Sequence, residues 1–419
     1  MLHTWLRKGG TLALAVLLFI SAGCSISGPQ AGPGNSKSGG KESQPSPPPT
    51  VEDPLKDQIA RMTLDQKIGQ MVISGVDGLE MDEHARQLID TYKVGGFILF
   101  KPNVKSAGQA SALLNSLKEE NARTGSKIPL MLSVDEEGGR VSRMPDEYMN
   151  VPASRVIGST KNLRFAAEIG DILAREVASL GFNTNFAPVL DINSNPKNPV
   201  IGDRSFGSTP ELVGNLGVEM MKAIAAQKVI PVVKHFPGHG DTAVDSHIGL
   251  PVVEHDASRL RSFELVPFVK AFQSGADAVM VAHILLPKLD STYPASLSPA
   301  VITDLLRKEL NFGGVVFTDD LTMGAIVKSY GIGEAAVQAV KAGTDVALVC
   351  HEFDNTVRVV KALKQAAETG VLSERRIDES VYRILKLKYK YTLADHPAPQ
   401  PDVGKINEQI GRVLDARLP

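Results

Sequence analysis

Short apolar stretches rich in β-branched residues alternate with longer segments of helical period from Pro54 to about residue 390. The short stretches are apolar at nearly every position, which is typical of strands buried on both faces. Eight strands are predicted, at 70–74, 96–100, 130–135, 184–189, 230–235, 278–283, 315–319 and 345–350. Helices are predicted between them, at 82–93, 106–123, 162–180, 210–227, 257–274, 299–310, 333–341, 355–369 and 373–391, and a capping-box pattern at 63–66 opens one more.

This alternation predicts an α/β fold, a (β/α)8 TIM-type barrel that forms a single domain over residues 54–395. A doubly wound parallel sheet is the alternative arrangement of the same elements. Residues 396–419 are a polar, proline-containing C-terminal tail that could hold one last helix.

The N-terminus has the pattern of an export signal. Arg7 and Lys8 precede an apolar run at 11–20 that is too short to span a bilayer comfortably, and small residues lead from it to Cys24. Residues 20–24 resemble a bacterial lipobox, so we predict a signal peptide at 1–23, lipidation of Cys24 and a flexible Ser/Gly/Pro tether at 24–53. The protein would then be exported and lipid-anchored to the outer face of the bacterial cell membrane. A plain signal peptide with an incidental cysteine is the alternative.

Composition narrows the possible partners. The chain of 419 residues has 45 Lys and Arg against 47 Asp and Glu, a net charge of -2, which argues against a nucleic-acid partner. Its 2 cysteines exclude a disulfide framework and a zinc site built from several thiolates. Cys350 is expected to be a packed core thiol, and the protein is expected to be a monomer.

Charged residues follow the predicted strands at their carboxyl ends. They are Asp135, Glu136 and Glu137 after the third strand, Asp191 after the fourth with Asp203 and Arg204 beyond it, Lys234 and His235 in the fifth, His283 after the sixth, and Asp319 and Asp320 after the seventh. Parallel barrels carry their chemistry at this end, and buried charges cost stability unless they are paired. The pattern therefore favours a functional site at the mouth of the barrel.

The segment 234–247 carries three histidines and admits three interpretations. A zinc or iron site would use His235, His239, Asp241 and His247, although no metal-binding helical spacing is present. Alternatively, Asp245 and His247 form a proton-transfer dyad, because residues two apart in an extended segment point to the same side. In the third interpretation, the same aspartate caps a turn and the histidine is an ordinary surface residue.

Four motifs resemble those of family 3 glycoside hydrolases, specifically the bacterial β-N-acetylglucosaminidases of the NagZ type. The motifs are Lys-His-Phe-Pro-Gly-His-Gly-Asp-Thr with Asp-Ser-His at 234–247, Asp-Glu-Glu-Gly-Gly-Arg-Val at 135–141, Phe-Ala-Pro-Val-Leu-Asp at 186–191, and Phe-Thr-Asp-Asp-Leu-Thr-Met at 317–323. The resemblance implies a retaining double displacement, with Asp319 as the nucleophile that forms a covalent glycosyl-enzyme. It implies that His247 is the general acid/base and Asp245 its partner. By position alone, Asp320 is the other candidate nucleophile.

The resemblance also implies residues that bind sugar hydroxyls: Asp135, Arg143, Arg204, Lys234 and His235. Arg140 lies nearer the glycine pair and is the weaker candidate of the two arginines, and His283 is taken as a lining residue without a role. The implied activity is that of a β-N-acetylhexosaminidase on terminal non-reducing N-acetyl-β-D-glucosaminides in peptidoglycan fragments or chitooligosaccharides. No cofactor and no metal are expected. A β-glucosidase or an N-acetylglucosaminide phosphorylase is the alternative within the family, and a sugar-binding lipoprotein without catalysis is the alternative outside the enzymes.

Overall fold

The structure, a computed structural model, describes residues 53–418. The predicted signal peptide, Cys24 and the tether up to residue 52 lie outside the described residues. Nine parallel strands form one sheet. They are β1 (Val72–Gly75), β2 (Gly96–Leu99), β3 (Met131–Val134), β4 (Thr184–Asn185), β5 (Ile230–Pro231), β6 (Val233–Phe236), β7 (Ala278–Val281), β8 (Val315–Asp320) and β9 (Val346–Val349).

The order of the strands shows that the sheet is nearly closed. The order is β5-β4-β3-β2-β1-β9-β8-β7-β6, so the two edge strands are successive in the chain. Strands β5 and β6 are separated only by Val232, and a parallel bridge between Val189 and Lys234 adds to the contact at this seam. The predicted (β/α)8 TIM-type barrel is confirmed, and the doubly wound alternative is wrong because an open sheet would leave its edge strands apart.

Prolines interrupt one of the predicted strands and shorten another. The predicted strand 230–235 divides into β5 and β6 at Pro231, which has no N–H to donate to a neighbouring strand. The predicted strand 184–189 ends at Asn185, because Pro188 interrupts the ladder in the same way and Val189 forms only the isolated bridge. The number of strands is therefore nine rather than the predicted eight.

The helices surround the barrel. They are α1 (Pro54–Ala60), α2 (Leu64–Gln70), α3 (Glu83–Asp90), α4 (Ala107–Arg123), α5 (Ser154–Thr160), α6 (Leu163–Leu180), α7 (Pro210–Ala226), α8 (Ala257–Ser262), α9 (Val266–Gln273), α10 (Gly324–Val327), α11 (Ile332–Ala342), α12 (Phe353–Glu368), α13 (Glu374–Lys390) and α14 (Val403–Arg417), with a π-helix at Ala300–Glu309. The predicted helix 257–274 is two helices, because Phe263 leaves the helical region and Pro267 opens the next helix. Within residues 53–418, none of the helices combines the length and the apolar character needed to cross a membrane.

The C-terminal segment contains the helix that the sequence allowed. Asp402 caps the start of α14 by accepting a hydrogen bond from the backbone N–H of Lys405. Ile410 on this helix is fully buried, and Arg417 forms two hydrogen bonds with Glu168 of α6 at 2.7 and 2.8 Å. The last helix thus packs against the barrel through one buried side chain and a bidentate ion pair.

Candidate active site

The carboxyl ends of the strands surround a cavity of about 270 Å³. All eight residues predicted to act on substrate line it: Asp135, Arg143, Arg204, Lys234, His235, Asp245, His247 and Asp319. A larger cavity of about 940 Å³ lies at the opposite end of the barrel, between α1 and α13, and none of these eight residues lines it. We regard the smaller cavity as the candidate active site because the chemically reactive groups converge there.

Glu137 links two buried cations at one wall of the cavity. Its carboxylate accepts hydrogen bonds from Arg204 at 2.8 Å on each oxygen and contacts Lys234 Nζ at 2.7 Å. Lys234 Nζ also donates to Asp135 Oδ1 at 2.5 Å. Burial alone would raise the pKa of Glu137, but Arg204 and Lys234 hold it well below its usual value. The arrangement fixes a charged donor-rich wall that can bind sugar hydroxyls.

Asp191 orients His235 within the same wall. His235 Nδ1 lies 2.6 Å from Asp191 Oδ2, and its Nε2 lies 3.3 Å from Nη2 of Arg204. Because a guanidinium only donates, Nε2 must be the acceptor and Nδ1 must carry the proton given to Asp191. Burial would raise the pKa of Asp191, but His235 and His239 outweigh it, so this carboxyl stays ionised. The tautomer of His235 is therefore set by its two neighbours.

Two neighbouring carboxylates end β8, and their environments differ. Asp320 accepts hydrogen bonds from Thr322 at both oxygens and from the backbone N–H of Cys350 at 3.0 Å. Asp319 accepts only the backbone N–H of Asp320, at 2.9 Å, among the described residues. Burial would raise the pKa of Asp319, but His283, His235 and that N–H lower it below its usual value. Asp319 is thus the ionised carboxylate left free to react.

The dyad loop, residues 239–250, carries Asp245 and His247. His247 Nδ1 lies 2.7 Å from Asp245 Oδ1, and the backbone N–H of His247 donates to the same oxygen at 2.9 Å. Burial would raise the pKa of Asp245, but its hydrogen bonds with His247 lower it. The imidazole of His247 is 66% exposed at the cavity mouth. The geometry agrees with the predicted dyad, since the carboxylate holds the ring and leaves Nε2 facing outward to a ligand.

His239 holds the dyad loop through contacts at both of its ring nitrogens. Its Nδ1 lies 2.8 Å from Thr242 Oγ1 and its Nε2 lies 3.2 Å from Ser246 Oγ, the residue between the two members of the dyad. Burial lowers the pKa of His239 to about 4, so the ring is neutral at physiological pH. A neutral imidazole can donate to one hydroxyl and accept from the other. The loop is therefore held at two points by one buried ring.

The two arginines that follow β3 have different roles. Arg140 pairs with Asp203 at 2.7 Å, whereas Arg143 Nε has no hydrogen-bond partner among the described residues. Arg143 lies with its guanidinium carbon 5.9 Å from the ring centroid of Phe100 and lines the cavity. Its backbone N–H donates to Glu136 Oε2 at 2.7 Å, which fixes the loop that carries it. Arg143 is the arginine that remains available to a substrate.

The four residues of the alternative metal site are bonded elsewhere. His235 contacts Asp191, His239 contacts hydroxyl groups, and His247 contacts Asp245. Asp241 lies 2.8 Å from His255. Within residues 53–418, the group of histidine and aspartate side chains whose ligand atoms do converge is Asp77, Asp82 and His84, and none of these three lines the cavity. The geometry therefore favours proton transfer over metal binding in the segment 234–247.

Two buried carboxylates of the site, Glu137 and Asp191, had no role assigned from sequence, and His239 was considered only as a ligand of the alternative metal site. Each was visible as a polar residue after a buried strand, and the rule that buried charges must be paired would have marked the two carboxylates as partners of Lys234 and His235. His283 also has specific partners, Ser296 Oγ at 2.6 Å and the backbone oxygen of Asp320 at 2.9 Å. It supports the end of β8 from the neighbouring strand.

Residues 63–387 match the family model described as the glycosyl hydrolase family 3 N-terminal domain. Among curated proteins, the chain is 37% identical over 354 residues to beta-hexosaminidase A of Pseudoalteromonas piscicida, covering 79% of this chain and 58% of that protein. It is 32% identical to the beta-hexosaminidase LpqI of Mycobacterium tuberculosis, covering 77% of this chain and 82% of that protein. A solved family 3 β-N-acetylglucosaminidase from Paenibacillus sp. superposes with a TM-score of 0.80 at 44% identity, covering 85% of this chain and 69% of that one.

The chain thus spans less than two thirds of the Pseudoalteromonas protein and most of the mycobacterial one. The family match covers the whole barrel, from the helix that precedes β1 to the last turn of α13. Fold, motif order and the convergence of the motif residues at one cavity all agree with this match. The chain belongs to glycoside hydrolase family 3.

Proposed function

We propose that the protein is a retaining β-N-acetylhexosaminidase that hydrolyses terminal non-reducing N-acetyl-β-D-glucosaminides. The observation that carries the proposal is that a half-buried, ionised Asp319 and a histidine held by Asp245 line one cavity beside a wall of paired charges. The relatives named as beta-hexosaminidases and the β-N-acetylglucosaminidase structure support the choice of sugar.

The proposed reaction has two displacements. In the first, Asp319 attacks the anomeric carbon while His247 gives the proton on Nε2 to the departing oxygen, and a glycosyl ester forms on Asp319. In the second, His247 takes a proton from water at Nε2, and the water oxygen displaces Asp319 from the anomeric carbon. Asp245 accepts a hydrogen bond from Nδ1–H throughout, without taking the proton, and stabilises the imidazolium form. Two inversions leave the product with the starting β configuration.

Asp135, Arg204, Lys234, His235 and Arg143 would bind the non-reducing sugar. The first four are joined by the hydrogen bonds through Glu137, so they form one rigid surface that needs little reorganisation when substrate binds. Arg143 would contribute from the loop after β3, because its side chain lines the cavity.

The test compares kcat/KM on an aryl N-acetyl-β-glucosaminide and an aryl β-glucoside, first in phosphate-free buffer and then with phosphate. Strong preference for the N-acetyl sugar, release of the β anomer and no sugar 1-phosphate are expected. Preference for the glucoside would identify a β-glucosidase, and phosphate-dependent formation of sugar 1-phosphate would identify a phosphorylase. A 5-fluoro glycosyl fluoride of N-acetylglucosamine should label Asp319, as seen by peptide mass mapping.

We further propose that the protein acts outside the cell, attached by lipid at Cys24, on fragments of peptidoglycan or on chitooligosaccharides. The support is the sequence pattern at 1–24, since these residues lie outside the described part. Radiolabelled palmitate should be incorporated into the wild-type protein, and the protein should sediment with membranes. Cys24→Ala should abolish both the incorporation and the sedimentation. Incorporation that survives the substitution would contradict the anchor.

A further inference from the structure

An apolar surface borders the cavity mouth beside His247. Val244, Ile248 and Val327 are 45%, 66% and 46% exposed, and the first two belong to the dyad loop on either side of the catalytic pair. We refer to these three residues as the apolar rim. Large apolar side chains left this exposed are uncommon on a soluble surface unless they contact something. Because they lie next to His247, we expect a specific ligand to contact them.

The two segments that carry the rim are packed against each other. The backbone N–H of Ala325 in α10 donates to Ser246 O at 3.1 Å, and Lys328 Nζ donates to Ile248 O at 2.5 Å. Gly324 packs so closely that an added Cβ would lie 2.6 Å from His247 O. These contacts place Val327 of α10 close in space to the dyad loop that carries Val244 and Ile248.

The chemistry of the proposed reaction determines what lies against this surface. The cavity of about 270 Å³ is below the range of pockets that hold drug-sized ligands, so it accommodates a single sugar residue. His247 must reach the oxygen that leaves, and the remainder of the leaving group continues outward from that oxygen past the dyad loop. The charged wall around Glu137 lines the cavity itself, which we assign to the sugar that stays, whereas none of the rim residues lines it. The departing group is therefore expected to meet the rim.

We propose that Val244, Ile248 and Val327 form the binding site for the leaving sugar and take a 2-acetamido pyranose through its apolar ring face and acetamido methyl. The proposal rests on the proposed hexosaminidase function and extends it to the second sugar. N-acetylglucosamine of chitooligosaccharides and N-acetylmuramic acid of peptidoglycan share this chemistry. The three aliphatic side chains suit the C–H face of such a sugar, which is why we prefer it to a charged peptide.

The experiment uses the full chain and the variants Ile248→Ser and Val327→Ser, with Val371→Ser as the matched control. Val371 is an equally exposed valine, 54% exposed, in the turn between α12 and α13. The substrates are chitobiose, the N-acetylglucosaminyl-N-acetylmuramic acid disaccharide, and methyl N-acetyl-β-glucosaminide, whose leaving group is as dependent on acid catalysis as a sugar hydroxyl but is too small to reach the rim. For each rim variant, kcat/KM on the disaccharides should fall about fivefold to tenfold relative to kcat/KM on the methyl glycoside. Val371→Ser should leave this ratio at the wild-type value.

The outcomes separate the rim from the overall function. A fall on both disaccharides supports the shared acetamido sugar, and a fall on one of them assigns the rim to that source. A ratio that stays at the wild-type value, with or without an equal loss on the methyl glycoside and the disaccharides, overturns the proposal, because the rim would then be inert or would only position the dyad. A rim variant that dissociates a wild-type dimer in light scattering also overturns it. Failure of the wild-type protein to cleave any substrate would instead refute the hexosaminidase function.

Discussion

Replacing Glu137 by glutamine removes one charge from the wall of the cavity while keeping the shape of the side chain. In the native protein this carboxylate lies between Arg204, with two contacts of 2.8 Å, and Lys234, with one of 2.7 Å. After Glu137→Gln, the amide NH2 would face the N–H groups of Arg204 or Lys234, which also donate. Both cations would lose the negative charge that they contact. Asp135 would remain the one near anion for Lys234. The substitution therefore breaks a buried ion network from its centre.

The expected loss is about 3–5 kcal/mol in the free energy of unfolding at pH 7, the usual cost of removing one partner of a buried pair. Its pH dependence follows from the depressed pKa of Glu137 in the folded state. Stability from such a group is fully present above the pKa of the unfolded chain, about 4.5, and is lost as pH falls through the lower folded value. The difference between wild type and Glu137→Gln should therefore be constant from pH 8 to about pH 5 and shrink below that.

Urea unfolding followed by far-UV circular dichroism measures this difference across pH. The matched control is Glu219→Gln, which removes a carboxylate from an exposed pair with Lys222 at 3.3 Å. An exposed pair contributes at most about 1 kcal/mol, so the control should change little. A loss below about 1 kcal/mol for Glu137→Gln, or a loss of equal size at pH 3.5 and pH 7, would refute the electrostatic account of this wall. The substitution should also raise KM, because Arg204 and Lys234 lose their fixed positions.

Other perturbations test the remaining parts of the site. Asp319→Ala should lower kcat by several orders of magnitude with little change in the unfolding midpoint, and a residual rate near wild type would contradict its role as nucleophile. His247→Ala should reduce kcat/KM far more for substrates with poor leaving groups than for activated aryl glycosides, and equal losses would contradict its acid/base role. Glu176→Gln should stabilise the protein by about 1–3 kcal/mol at pH 8 and have no effect below pH 4.5, because burial and Glu136 raise the folded pKa of Glu176 and stability is lost as pH rises through it. EDTA should leave kcat/KM unchanged, and loss of activity restored by zinc would revive the metal interpretation.

The barrel could be predicted from sequence because its strands are buried on both faces and its helices on one. These two environments leave different apolar periods in the chain, and those periods do not depend on tertiary detail. The boundaries were wrong where a proline sits inside an apolar run, at Pro188, Pro231 and Pro267. Each of these prolines was visible, but whether it ends an element or only interrupts hydrogen bonding depends on the neighbouring strand. The π-helix at Ala300–Glu309 has no such sequence mark.

The sequence predicts which residues meet at the site. It does not predict which of them pair with one another. Asp135, Glu136 and Glu137 follow one strand, and the alternation of side chains predicts that the first and third share a direction. The structure agrees, since Asp135 and Glu137 both contact Lys234 while Glu136 binds backbone N–H groups of its own loop. The shared direction of Asp135 and Glu137 could therefore be predicted from the sequence. The pairing of Glu137 with Arg204, 67 positions away, required the fold.

The position of the proposed acid/base, His247, on a loop affects the charge at the cavity mouth and the choice of leaving sugar. The mouth already holds several ionised carboxylates, among them Asp191 and Asp319, and a further carboxylate beside the nucleophile would raise the pKa of both. In the proposed mechanism, the imidazole of His247 transfers the proton, and its anionic partner Asp245 contacts the opposite ring nitrogen, Nδ1. The dyad loop is joined to the charged wall through its first residue, since the backbone N–H of His239 donates to Asp191 Oδ1 at 2.6 Å. The residues of the loop that contact α10 come later in the chain, so the proposed leaving-group side can change in sequence while the wall that would hold the first sugar stays the same. Substitutions in the apolar rim should therefore alter the preferred leaving sugar without altering the preference for the sugar bound by the wall.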